Sequence, residues 1–172
     1  MDAVKLPRRR PVPEAVRALL LPAGERRLGW ALTADGAPVV ATASHLLLPG
    51  REPLPWGAVE RAGWQRPVLT VVEVAPGAAP VSGTGPTTVL RLDEEADGGL
   101  ADAVHARVTS SVAWSTHVRF PSGGGARVVG RRRSGTDELA WQVVYDAGTD
   151  VHDPTVRAQA QAVVERSRRT IG

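Results

Sequence analysis

The sequence predicts an α+β protein: an antiparallel meander or barrel with a mid-chain helix and a C-terminal packing helix. Three observations carry this expectation. Val112, Trp114, Thr116, Val118 and Phe120 alternate with Ala113, Ser115, His117 and Arg119. Leu139, Trp141, Val143 and Tyr145 alternate with Ala140, Gln142 and Val144. Period-two alternation marks strands with one face buried and one face wet. Lastly, Asp153-Pro154 opens a run in which Val156, Ala160, Val163, Val164, Ser167 and Ile171 lie along one side of a helix.

Residues 1–11 are basic and proline-flanked, and a mobile arm is expected there. Residues 12–172 are expected to form a single α+β domain, divisible into subdomains 12–92 and 98–172. Pro13 to Leu21 reads as a short helix, since proline suits a first turn, and Gly24 stops it. Leu28, Trp30 and Leu32 mark a strand, and Asp35-Gly36 a hairpin turn, because glycine accepts positive φ. Val39 to Thr42 and His45 to Leu48 follow as strands, with a turn at Pro49-Gly50. Val59 to Trp64 and Val68 to Val74 form a hairpin around Pro67.

Ala75 to Pro86 reads as an internal loop or subdomain boundary. Thr87 to Leu92 is β-branched and reads as a strand, followed by an acidic turn from Asp93 to Asp97. Leu100, Val104 and Val108 give a mid-chain helix one apolar stripe. Beyond the first alternating strand, Pro121 to Gly125 is a turn and Ala126 to Arg133 the next strand. Asp153 is placed as the cap of the last helix and Pro154 as its first residue, with fraying beyond Arg169. That helix is expected to close the meander.

At 172 residues the chain can bury roughly 70% of its unfolded surface. Cysteine is absent, which excludes disulfides, thiolate metal sites and thiol catalysis. The net charge is +3 although the sequence pI is about 10.4, because Lys5 is the only lysine and arginine supplies the remaining base. This arginine-rich composition is weak evidence for nucleic acid. No apolar run approaches the ~20 residues of a membrane span, and no cleavable leader follows Arg8-Arg9-Arg10. A cytoplasmic location is expected.

The run Gly24-Glu25-Arg26-Arg27-Leu28-Gly29-Trp30, with Val40-Ala41-Thr42, Leu46-Leu47-Leu48, Leu54-Pro55-Trp56 and Val59, resembles bacterial pleckstrin-homology-like domains. Those domains place a similar meander before a C-terminal helix. The wider pattern, including Arg131-Arg132-Arg133 and Leu139-Ala140-Trp141, is similar to an uncharacterised actinobacterial protein family. The resemblance implies a fold and carries no catalytic residues or cofactor.

Five sets of residues are candidates for function. Arg131, Arg132 and Arg133 at a strand end, with Arg166, Arg168 and Arg169 on the last helix, could converge on an anion through forked hydrogen bonds. A solvated strand end and helix face is the plainer account of the same residues. Trp56 and Trp64 sit at strand margins and would mark a partner surface if exposed, or core if not. Trp30, Trp114 and Trp141 fall on core phases. Asp146, Asp150, His152 and Asp153 contain cation ligands, but their spacing matches no EF-hand and Asp153 already has a capping role.

Ser110 or Ser111 with His105 or His117, or Ser115 beside His117, would make a hydrolytic pair, but no Gly-x-Ser-x-Gly elbow is present. Gly83-Thr84-Gly85 and Gly123-Gly124-Gly125 lack a phosphate-loop or dinucleotide pattern. The expected function is therefore a non-enzymatic binding or scaffold protein without metal or cofactor. The expected partner is another protein, with strand addition at an open sheet edge as one route to it. The alternative is an anion-binding module that meets nucleic acid or acidic lipid through the arginine clusters.

Overall fold

The computed structural model describes residues 11–75, 81–82, 84–133 and 137–171. The expected basic arm falls almost wholly outside them, as do Gly83 and part of the Ala75 to Pro86 loop. The elements run α1 (Glu14–Ala18), β1 (Gly29–Thr33), β2 (Pro38–Ala41), β3 (His45–Leu47), β4 (Leu54–Pro55), a 3-10 turn (Trp56–Ala58), β5 (Val59–Gln65), β6 (Val68–Val74) and β7 (Val81–Ser82). They continue with β8 (Thr84–Asp97), α2 (Leu100–Ser111), β9 (Val112–Arg119), β10 (Gly125–Arg132), β11 (Leu139–Tyr145) and α3 (Pro154–Ile171).

Among the described residues the strands form two sheets. A seven-stranded antiparallel sheet has the order β4-β3-β2-β1-β8-β6-β5, and a four-stranded sheet the order β7-β11-β10-β9. The larger sheet curls because β8 serves two neighbours in succession. Residues from Thr84 to Arg91 pair with β6, while Leu92 and Asp97 pair with Thr33 and Ala31 of β1. Two residues on β1 thus span what five span on β8, and a bulge of this kind bends a strand and sharpens its twist. The acidic run Asp93-Glu94-Glu95 lies on that bulge rather than in a turn. The chain leans outward there without reversing, and Asp93 Oδ1 accepts the Glu95 N–H at 2.9 Å.

Alternation in the first three strands sorts the two faces of the curl. Ala31, Val39, Ala41, Leu46 and Leu48 point inward to a core shared with Leu69, Val71, Leu92, Leu100 and Val104. Trp30, Val40 and Leu47 point outward and are covered by Val16 of α1. Arg27 secures α1 by donating to the carbonyls of Val16 and Arg17 at 3.1 and 2.9 Å, acceptors that a helix end leaves free.

The helix that fills the curl is α2, packed against β1, β2, β5 and the 3-10 turn. This corrects the expectation that the last helix closes the meander. Gly98 leads into α2 directly over the Trp30 indole; a Cβ there would lie 2.1 Å from the ring, so the crossing requires glycine. Asp97 Oδ1 accepts the N–H groups of Gly99 and Leu100 at 2.9 and 3.0 Å and caps the helix.

Helix α3 covers one face of the smaller sheet instead. Val156, Ala160 and Val164 pack on Phe120, Ala126, Val128, Trp141 and Val143. Trp114 meets Trp141 edge-on, with centroids 5.5 Å apart. Asp153 caps α3 through Thr155 N at 2.7 Å, and the helix runs to Ile171, two residues past the expected frayed end. Among the described residues no helix is long and apolar enough to cross a membrane.

Candidate functional site

The arginine set divides. Arg131 turns inward, at 6% exposure, and donates to Ser111 Oγ at 2.9 Å and to the Glu60 carbonyl at 2.5 Å. Burial pulls its pKa below the ordinary arginine value, and the Glu60 charge opposes that pull. Gln142 joins the same seam by donating to Glu60 Oε2 at 2.9 Å. Arg131 therefore ties the smaller sheet to the edge of the larger one, and its guanidinium is withdrawn from any solvent-facing anion set. Arg132, Arg133, Arg166 and Arg169 are exposed. Arg133 lies 3.8 Å from Glu138, and Arg168 lies 3.3 Å from Glu165.

Trp56 is core. It is 4% exposed, and its indole N–H donates to the Thr42 carbonyl at 3.1 Å. Trp64 is half-buried against the same core and lines a shallow cleft with Arg66, Pro67, Leu92, Asp93 and Asp97. Its N–H is buried without a partner among the described residues.

The other candidates are held in structural bonds. His117 Nε2 and Asp146 Oδ2 are 2.8 Å apart. Asp150 accepts the His152 N–H at 2.9 Å in a local turn, and Asp153 is the cap. Among the described residues no three His, Asp or Glu side chains gather as a metal set. Ser110 and Ser111 donate to the carbonyls of Arg107 and Val108, one turn back in α2. Gly123 and Gly124 occupy the β9–β10 turn at φ 98° and 74°.

Residues 25 and 45 form a second polar joint that sequence reasoning missed, because twenty positions separate them. Glu25 Oε1 lies 2.7 Å from His45 Nδ1, and its other oxygen accepts the Ser44 N–H at 3.4 Å. Burial alone would raise the Glu25 pKa. Hydrogen bonds from Thr42, His45 and Ser44, with the His45 charge, outweigh it and hold the carboxyl below its usual value. A depressed carboxylate stabilises the fold above its unfolded pKa and loses that contribution as pH falls through the folded value. Glu25→Gln is therefore expected to lower stability by about 1–2 kcal/mol at neutral pH. The difference from wild type should shrink as acid protonates Glu25, which thermal melts across the acid range would check. A gap that stays constant down to the acid limit would refute this.

The longest open edge is β9. It pairs with β10 from Gly125↔Arg119 to Arg131↔Val112, and the described residues place no strand on its other side. Phe120 N donates inward to Gly124 O at 3.1 Å. Successive strand amides point to opposite sides, so Val118, Thr116 and Trp114 also face β10 while Arg119, His117 and Ser115 face outward. Of the other outer edges, β4 and β7 have two residues each, and the shorter β5 is engaged by Arg131 at the Glu60 carbonyl. Comparison with family models, curated proteins and solved structures finds no match to the chain.

Proposed function

We propose that this chain is a non-enzymatic protein-binding module that takes up an extended segment of another protein as an extra strand on β9. The observation that carries the reading is the row of outward amides at Ser115, His117 and Arg119 along an edge eight residues long. No proline interrupts this edge and no described element covers it, and the charge it does carry, Arg119, restricts what can pair there. The framework of the reading is pleckstrin-homology-like, supported by the curled antiparallel sheet in which the runs β1–β4 and β5–β6–β8 join through β1 and β8 and lead directly into α2.

Ser115→Pro tests it. Proline removes one outward N–H and obstructs the edge while leaving the β9–β10 bonds intact, which edge strands tolerate. Melting is expected to change little. A partner captured from the protein's own cells on immobilised wild type should be lost on the variant. Equal capture by both would reject the reading.

A second reading rests on Arg132, Arg166 and Arg169, which are exposed and have no ion pair among the described residues. They would contact the phosphates of nucleic acid or acidic lipid. Such binding falls steeply with salt, through release of counterions, and would survive Ser115→Pro.

A further inference from the structure

We infer that the strand accepted by β9 is acidic at alternate positions, an inference that rests on the strand-addition reading above. Between Asp102 and Asp137 the chain contains no Asp or Glu, while Arg107, Arg119, Arg127, Arg131, Arg132 and Arg133 fall in that interval. This stretch forms most of α2 and all of β9 and β10, so the open edge is built from a segment without negative charge.

The register gives the charge a direction. Arg127 pairs with His117, so its side chain shares a face with Ser115, His117 and Arg119. Arg119 and Arg127 are both exposed on that face, and neither has an ion pair among the described residues. The acids that approach the face are already engaged: Asp146 by His117, and Glu60 by Gln142 beside Arg131. The other face of β9 carries Trp114, Thr116 and Val118 beside the core under α3.

Strands pair about 4.8 Å apart, which brings a carboxylate opposite Arg119 within ion-pair reach and lets an extended one approach Arg127 a strand further in. The fitting segment therefore alternates an acid on one face with a β-branched or aromatic residue on the other. A second copy of β9 fits this edge poorly, since it would bring another Arg119 and no acid.

The test uses the full chain and three capped peptides the length of β9, in which valine alternates with glutamate, threonine or lysine. Tryptophan emission reports binding, because Trp114 lies in β9. The glutamate peptide is expected to bind about tenfold more tightly than the lysine peptide, from a cross-strand pair at Arg119 and the longer-range pull of Arg127 against repulsion at both. Arg119→Ala with Arg127→Ala should bring the glutamate peptide to the level of the threonine peptide, and Ser115→Pro should abolish binding of all three. Equal affinities that vanish on Ser115→Pro would overturn the acidic preference and leave strand addition standing. Glutamate-peptide binding that survives Ser115→Pro, or no binding by any peptide, would overturn both. A dimer of the free chain that Ser115→Pro dissolves would assign the edge to a second copy instead.

Discussion

Trp56→Ala is expected to cost about 3–5 kcal/mol of folding stability, the range for emptying a large aromatic site in a core. The ring lies at the centre of the larger core with Leu46, Leu54, Val59, Leu100 and Val104, all at 5% exposure or less. Its removal takes apolar packing from both α2 and the sheet. It also strands the Thr42 carbonyl that the indole N–H satisfies at 3.1 Å. The two terms separate with Trp56→Phe, which keeps most of the packing and loses the donor, so it should cost about 1 kcal/mol for the orphaned acceptor plus a cavity term. Urea midpoints at constant slope measure both. An unchanged midpoint for Trp56→Ala, combined with lost partner binding, would return this indole to the surface.

Trp56 also shows where the sequence becomes illegible. Pro55 and Gly57 flank it and read as a strand margin, where a tryptophan can face either way. The 3-10 turn swings the ring inward, and Gly57 then passes so close to Arg132 that a Cβ would lie 2.8 Å from its carbonyl. That contact comes from a strand seventy-five positions away, and no local pattern records it. By contrast, the phase of β9 from Trp114 onward, the bounds of β11, the Asp35-Gly36 hairpin and the Asp153 cap were all legible, while Val112 lies past a bulge and is exposed. Each depends on residues within a few positions of one another.

Two further misreadings have the same origin. Gly85-Pro86 and Asp93-Glu94-Glu95 are poor strand formers, yet both lie in β8. Pairing to β6 and β1 overrides propensity, and the bulge accommodates the acids on the outside of the bend. A periodic apolar stripe shows that a helix has a buried side, not what buries it, so α2 and α3 could not be assigned to their sheets from sequence. Similarly, alternation places Gln142 and Arg131 on a polar face without showing that the edge of a second sheet covers it. The β9 site was legible as a strand, but its openness depends on the order of the whole smaller sheet.

That covered face makes Arg131 the most informative polar residue in the chain. Arg131→Ala is expected to destabilise the fold by about 3 kcal/mol, because removing one member of a buried polar cluster leaves the others desolvated and unpaired. The Glu60 carbonyl loses its guanidinium donor, the Ser111 hydroxyl keeps only its donation to Val108, and the Glu60 carboxylate is left with Gln142. Arg131→Met leaves the same acceptors without their donor, so it is expected to recover only the share of the loss that comes from emptied stem volume. It keeps the stem that fills the seam and avoids burying a guanidinium whose Nε has no partner among the described residues. The same urea series decides between the roles open to this residue. A large alanine effect with a small methionine effect assigns it to packing at the seam. Equal large effects make the hydrogen bonds to Glu60 and Ser111 the essential link between the sheets. If neither variant moved the midpoint while both lost an anion, Arg131 would have to face solvent in solution, and the joint between the two sheets would be misassigned.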